Sequence, residues 1–314
     1  MSGQLWSRSD SGFMATPTLS EELRTAVQPL SRFTQFCDVE TALGKNRGDT
    51  YTWNIYGNTA DDGDENGINE NQKMPETTFP VGNGTVTVKE FGNSVPYSGK
   101  YDDLSEHPVK EIIHKTLKND AARTMDRVAH GQFNATLLRA TSTSATAFDL
   151  VDTGTAGGAH TNDLSLDHIK GIGDTMEERN IPVFDGEHYV LVARPTTLRP
   201  MRNELEGIHQ YTSEGWMRIM EGEKGKYDNF RVVSQTNIPS AGFSNSDAAY
   251  FFGSDTVTEV VANPLELRGK IPDDYGRSKG IAWYYLGNFG ITHADDTDAN
   301  TKAQARIIKW DSTS

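Results

Sequence analysis

Two hydrophobic periods run along the chain, and the points where they change divide it. In DTYTWNIYGN (49–58), Tyr51, Trp53 and Ile55 alternate with Thr52 and Asn54, the period-two pattern of a strand with one apolar face. The polar stretch TADDGDENGINENQK (59–73) follows, and TTFPVGNGTVTVKEF (77–91) resumes the alternation at Val86 and Val88. Within it, Asn83-Gly84 predicts a tight turn. Together these runs predict a long β-hairpin with the polar stretch at its tip. From Ser105 to Ala140 the period lengthens: Val109, Ile112, Ile113, Thr116, Leu117, Met125, Val128, Ala129 and Phe133 recur near i, i+3, i+4 spacing. That pattern predicts a helix of roughly 50 Å at 1.5 Å per residue. Ser105 is its N-cap, Pro108 lies in its first turn and Gly131 is a candidate bend. Two helices broken near Asp120 are the other reading.

The remaining segments are less regular. Residues 20–36 (SEELRTAVQPLSRFTQF) place Leu23, Val27, Leu30 and Phe33 at roughly helical spacing across Pro29, a weak helix on an otherwise extended arm. Residues 141–163 are small and polar, and predict a loop. Helices are expected around Leu166–Met176 and Trp216–Met220. HYVLVA (188–193) predicts a short strand buried on both faces. FRVVSQT, YFFGSDTVTEVVANP, GIAWYYLGNFGITHAD and ARIIKW predict further strands, the third of these apolar on both faces from Ile281 to Leu286. No internal repeat is visible.

Composition narrows the classes. A chain of 314 residues with 24% charged and 35% hydrophobic residues suits a folded, polar, loop-rich protein. No apolar run is long enough for a membrane-spanning helix. Cys37 is the one cysteine, so an intrachain disulfide is excluded. The net charge of −14 is uneven: six acids face Lys73 alone between Asp61 and Glu76, and Asp295, Asp296 and Asp298 add three more. Sequence-specific nucleic-acid binding rests on clustered Lys and Arg, so it is not expected.

Candidate chemistry is sparse. Asp62, Asp64, Asn66 and Gly67 match the first half of an EF-hand loop, but its twelfth position is Lys73 and its flanks are strands, not helices. An irregular oxygen-ligand site at Asp62, Asp64 and Asn66 is the only metal candidate. Gly171-Ile172-Gly173 lacks the third glycine of a dinucleotide loop, and Gly225-Lys226 lacks the phosphate-loop context. The eight histidines show no His-x-x-x-His pair. A buried, inert Cys37 is favoured over a nucleophile. No catalytic residue and no cofactor is expected, so the chain does not read as an enzyme.

The order of elements carries a resemblance: an extended arm, a long acid-tipped hairpin, a very long helix, then a compact α/β region with late strands. With GDTYTWNIYGN (48–58), LSLDHIKGIGDTMEERNIPVFDGEHYVLVARPTTLRPMR (164–202), GEKGKYDNFRVVSQTNIP (222–239) and DDYGRSKGIAWYYLGNFGIT (273–292), it resembles the major capsid proteins of tailed bacteriophages. Their fold is α+β, the Hong Kong 97 type, and the likeness is greatest to the coat proteins of N4-like podoviruses. It covers about 45–312, while the acidic tip and residues 141–163 have no clear counterpart. The resemblance implies an N-terminal arm (1–48), an extended loop (49–83), a peripheral domain with a spine helix (84–163), an axial domain (164–275) and closing strands shared by both (276–314). It implies self-assembly into pentamers and hexamers of an icosahedral shell, formed in the bacterial host cytoplasm around double-stranded DNA. A portal, a separate scaffolding protein and a possible decoration protein are the implied partners; no scaffold-sized segment is seen before the arm. Tyr51, Trp53, Ile55 and Phe79 are then candidates for inter-subunit contact. An encapsulin-like compartment and a Ca²⁺-binding surface module using residues 61–70 are the alternatives. A metal-independent hydrolase would need a catalytic base that the sequence does not offer.

Overall fold

A 26-residue helix and a 14-residue strand lie against each other, and the rest of the molecule is arranged around them. The computed structural model of the chain describes residues 32–41, 48–57, 67–68, 70–79, 81–105, 107–154, 162–209, 226–238, 247–271, 275, 277–293 and 305–312. The strands are β1 (Asp38–Thr41), β2 (Thr50–Tyr56), β3 (Val81–Thr87), β4 (Lys89–Ser98), β5 (Arg139–Ser142), β6 (Phe148–Val151), β7 (Tyr189–Ala193), β8 (Lys226–Tyr227), β9 (Phe230–Ser234), β10 (Asp247–Phe252), β11 (Val257–Gly269), β12 (Ser278–Ile291) and β13 (Ile307–Ser312). The helices are α1 (Gly99–Leu104), α2 (Val109–Asn134), α3 (Leu166–Glu178) and α4 (Arg199–His209).

The strands form a four-stranded sheet in the order β1-β11-β12-β4, a seven-stranded sheet in the order β6-β5-β13-β10-β7-β9-β8, and a separate ribbon, β2-β3. Helix α2 lies on the four-stranded sheet. Alternation along β12 sends Ile281, Trp283, Tyr285 and Phe289 into one core with Ile113, Leu117, Ala121 and Met125 of α2. The other face of β12 is half-buried rather than a second core: the Tyr284 ring carries the Arg268 guanidinium at 3.8 Å, and its hydroxyl donates to Glu90 at 3.2 Å.

The seven-stranded sheet is covered on both faces, which explains the unbroken apolar run in β7. Val190 and Val192 face the core shared with α2, while Tyr189, Leu191 and Ala193 face a second core built with Ile169, Ile172 and Met176 of α3. Strand β10 divides in the same way, Tyr250 and Phe252 against Ala249 and Phe251. Helix α3 begins with a capping box, in which Ser165 Oγ accepts from the His168 amide and the His168 ring accepts from the Ser165 amide.

Several sequence expectations change here. Helix α2 is continuous through Asp120, but it is about 39 Å long at 1.5 Å per residue, shorter than the sequence pattern suggested. Its N-cap is Pro108; Ser105 instead closes the short helix α1, which the sequence reading missed, and its Oγ donates to the His107 carbonyl. Asn83-Gly84 is not a turn, because both residues lie inside β3, paired with Asn54 and Trp53. Residues 139–151 are not a loop: β5 and β6 form a hairpin on the edge of the seven-stranded sheet, with Thr141 and Ser142 buried. Of the weak helix over 20–36, only the 3-10 turn Phe33–Phe36 falls within the described residues. The helix expected around Trp216–Met220 lies outside them.

Candidate interaction surfaces

The ribbon leaves the body at the end of β12, and Trp53 fixes its root. Cross-strand register sets Tyr51, Trp53 and Ile55 opposite Val86, Gly84 and Gly82. The Trp53 indole lies flat over Gly84, where an added Cβ would sit 2.4 Å from the ring, and its Nε1 donates to the Thr292 carbonyl at 3.0 Å. Gly290 is the matching gap in β12, since a Cβ there would meet Val86 Cγ2 at 2.0 Å. Glycine is therefore needed at 84 and 290 for close approach, not for unusual backbone angles. We expect Gly84→Ala to displace the indole and lift the ribbon root, costing about 1–3 kcal/mol in urea unfolding.

Of the four residues expected to contact a second subunit, three are half-buried against their own chain. Trp53 holds the root, Tyr51 Oη donates to Glu40 at 3.3 Å, and Ile55 is half-buried on the same face. Phe79 is different: it is 56% exposed, and its ring stands 6.4 Å from that of Tyr56. Tyr56, 68% exposed, pairs across the ribbon with Val81. Phe79, Tyr56 and Val81 thus form an open apolar cluster at the far end of the ribbon. The alternation places Tyr56 on the polar face of β2, so periodicity alone passes over it. Asp62, Asp64 and Asn66 lie outside the described residues.

Beneath α2, a buried polar hub joins three parts of the chain. Asp126 is fully buried and accepts from the Phe33 amide at 2.7 Å, Gln235 Nε2 at 2.6 Å and Asn237 Nδ2 at 2.8 Å. Burial pushes its carboxyl up from the ordinary range, and these hydrogen bonds offset part of that rise. The hub ties the Phe33–Phe36 turn, the spine helix and the residues after β9 to one another. Asp120, six residues earlier, ties α2 to the sheet by accepting from Trp283 Nε1 at 3.0 Å and Asn93 Nδ2 at 2.8 Å. Burial raises its carboxyl too, but hydrogen bonds from Asn93, Trp283 and Arg123 overcome it and leave the group below its usual range. Cys37 donates to the Phe33 carbonyl at 3.5 Å, and burial pushes its thiol far up, out of the range of a useful nucleophile.

His130 completes this region. Its Nε2 is 2.8 Å from Tyr250 Oη, which donates to Asn134 Oδ1 at 3.2 Å. Burial, then the Lys309 ammonium, lower its pKa from 6.5 to about 4. The folded chain therefore binds fewer protons than the unfolded one between those values, and stability falls as pH drops through that window. We expect a loss of about 2 kcal/mol between pH 6.5 and 5, at ~1.4 kcal/mol per unit, measured by urea unfolding. A His130→Gln variant should show a flatter pH profile.

Among the described residues, no three carboxylate, imidazole or thiol groups are grouped to hold a metal ion, and no helix is long and apolar enough to cross a membrane. No protein-family model matches the sequence, and no curated protein does. Solved structures do match, over nearly the whole length. The capsid of Ralstonia phage GP4 is similar at 16% identity, a TM-score of 0.67 and coverage of 100% of this chain and 98% of that one. The capsid of cyanophage P-SCSP1u gives 13%, 0.66, 95% and 93%. The head of Helicobacter pylori bacteriophage KHP40 gives 11%, 0.68, 99% and 99%. With its arm turn, ribbon, spine helix and two sheets in this order, the chain has the α+β fold of phage capsid proteins, the Hong Kong 97 type.

Proposed function

We propose that this chain is the major capsid protein of a tailed phage, the coat subunit that self-assembles into the icosahedral head around a double-stranded DNA genome. The observation that carries this reading is the end-to-end likeness to phage capsid chains, with neither partner left with a large unmatched region. The architecture supports it physically. A ribbon ending in exposed Tyr56, Phe79 and Val81 buries too little on its own and gains by lying on a neighbour. Many modest contacts of this kind add up in a closed, symmetric shell.

In this reading the role is structural, not catalytic. Residues 1–48 form the arm and 49–83 the extended loop. Apart from β1, which belongs to the arm, the four-stranded sheet and α2 form the peripheral domain, which takes β11 out of the 164–275 segment, and the seven-stranded sheet with α3 and α4 forms the axial domain at the five- and six-fold axes. Strands β5 and β6 go with the axial domain on this division, because they pair into its sheet. A separate scaffolding protein and a portal complete the assembly in the host cytoplasm, with room for a decoration protein. At −14, the chain repels DNA phosphates and lets the packed genome slide. Sedimentation velocity of the expressed protein, alone and with its scaffolding protein, tests the reading. Multi-megadalton particles are expected, and a monomer under both conditions would sink it.

A further inference from the structure

Helix α2 is buried along one row of side chains in its first half and along two rows in its second. Val109, Ile113, Leu117 and Ala121 form the single row, and Met125, Ala129 and Phe133 continue it. From Asp126 a second row runs beside the first at the same four-residue spacing, and it is polar: buried Asp126, buried His130 and half-buried Asn134. Its side chains bond to Gln235 and Asn237 beyond β9, to Tyr250 of β10 and to the Phe33 amide. Asp120, in the first half, bonds instead to Trp283 and Asn93 of the four-stranded sheet. The helix is thus held to the four-stranded sheet by an apolar row. Its hold on the seven-stranded sheet is a row of polar contacts, with Phe133 on Phe252 beside them at a centroid distance of 4.9 Å.

Closure of this polar row requires an uncharged His130. The Tyr250 hydroxyl gives its one proton to Asn134 Oδ1, so it accepts from His130 Nε2, and the neutral ring carries its proton there. The rings of Phe33 and Tyr250 wall the imidazole at centroid distances of 5.2 and 5.3 Å. The charged and titratable groups around it are Lys309 and Asp311 of β13, Arg139 of β5, Tyr250 of β10 and Asp126 of α2 itself. Asp311 has no oxygen to spare, since Oδ1 lies 3.0 Å from Lys309 Nζ and Oδ2 lies 3.2 Å from Arg139. An imidazolium would therefore face the Lys309 ammonium in a buried site without an anion of its own. Released into water, the same ring titrates at its ordinary 6.5 rather than at about 4. Asp126 works in the opposite sense: burial holds its carboxyl up, so its protonation as pH falls favours the closed arrangement.

We propose that this polar row is an acid-sensitive latch: a proton on His130 releases the second half of α2 and the Phe33–Phe36 turn from the seven-stranded sheet, while the first half stays on the four-stranded sheet. The opening lies within one chain and does not rest on the capsid reading. Native-state hydrogen exchange of the full chain at pH 6.5 and pH 5 tests it, over a series of sub-denaturing urea concentrations and with rates corrected for the chemical pH dependence of exchange. At pH 5 the opening of the amides of 126–134 and of Phe33 should rise about tenfold, through a motion with little urea dependence. The slowest amides of 113–121 and 281–289 should keep the steep urea dependence of global unfolding. Equal rates and slopes in the two groups at pH 5 would mean that acid acts only through global unfolding, and would overturn the proposal. So would the absence of any rise. Lys309→Met leaves the Arg139–Asp311 pair in place and should shrink the rise. His130→Gln keeps a donor toward Tyr250 and should abolish it, leaving only the opposite response of Asp126. If His130→Gln fails to fold, Lys309→Met carries the same comparison. A rise that persists undiminished in the folded variants would assign the acid response to another group and overturn the latch.

Discussion

Replacing Asp126 with alanine will destabilise the chain by about 2–4 kcal/mol and free the Phe33–Phe36 turn from the spine helix. Three donors converge on this carboxylate in a fully buried site: the Phe33 amide, Gln235 Nε2 and Asn237 Nδ2. Removing the acceptor leaves them in an apolar surround, where each unmade hydrogen bond costs about 1–3 kcal/mol, less what local rearrangement or an entering water recovers. The carboxylate's own burial cost is relieved at the same time, which keeps the total below the simple sum. Asp126→Asn keeps the shape but turns donors toward donors, so it should also destabilise. The checks are urea unfolding and hydrogen exchange at the Phe33 amide, whose protection should fall with the variant. The Phe33 ring still packs on Phe133 and Tyr250, with centroids 5.2 and 5.6 Å away, so the body should remain folded.

The second large effect is on assembly rather than folding. Changing Tyr56, Phe79 and Val81 together to serine or threonine should abolish particle formation while shifting subunit stability by about 0.5 kcal/mol or less per site, the usual range for exposed positions. All three are more than half exposed in the single chain, so little intrachain packing is lost. In a shell, each would be lost from every subunit at once. A deficit of about 2 kcal/mol per contact, the size of an interface hot spot, multiplies through a lattice that closes only when its contacts hold together. Trp53→Ala should behave differently. Its indole bonds to Thr292 and covers Gly84, so that change should lower subunit stability as well as assembly.

Much of the fold was visible in the pattern of residues. The alternation of β2, the continuous apolar run of β7 and the 3.6 periods of α2 and α3 each reflect a face buried against a neighbour, and burial is what hydrophobic patterning reports. The failures share a different cause. Asn83-Gly84 has the composition of a turn, but its glycine is required by the Trp53 ring lying across it, a contact set by tertiary packing. Thr141 and Ser142 look like loop residues, yet they are buried between β13 and β6, where small side chains fit. Asp126 and His130 occupy helix positions where a polar residue ordinarily faces water. Their partners, Phe33, Asn237 and Tyr250, are 93 to 120 residues away in sequence, beyond any local signal. The apolar end of the ribbon was half visible: Phe79 was singled out, whereas Tyr56 needed the register with Val81 to be seen.

Electron microscopy of the assembled fraction tests the capsid assignment most directly. Closed shells built of five- and six-membered capsomers are the predicted result when the protein is expressed with its scaffolding protein. Loss of those shells in the Tyr56, Phe79 and Val81 variant would tie them to the ribbon. A dispersed monomer in every preparation, or amorphous aggregates with no symmetry, would contradict the assignment.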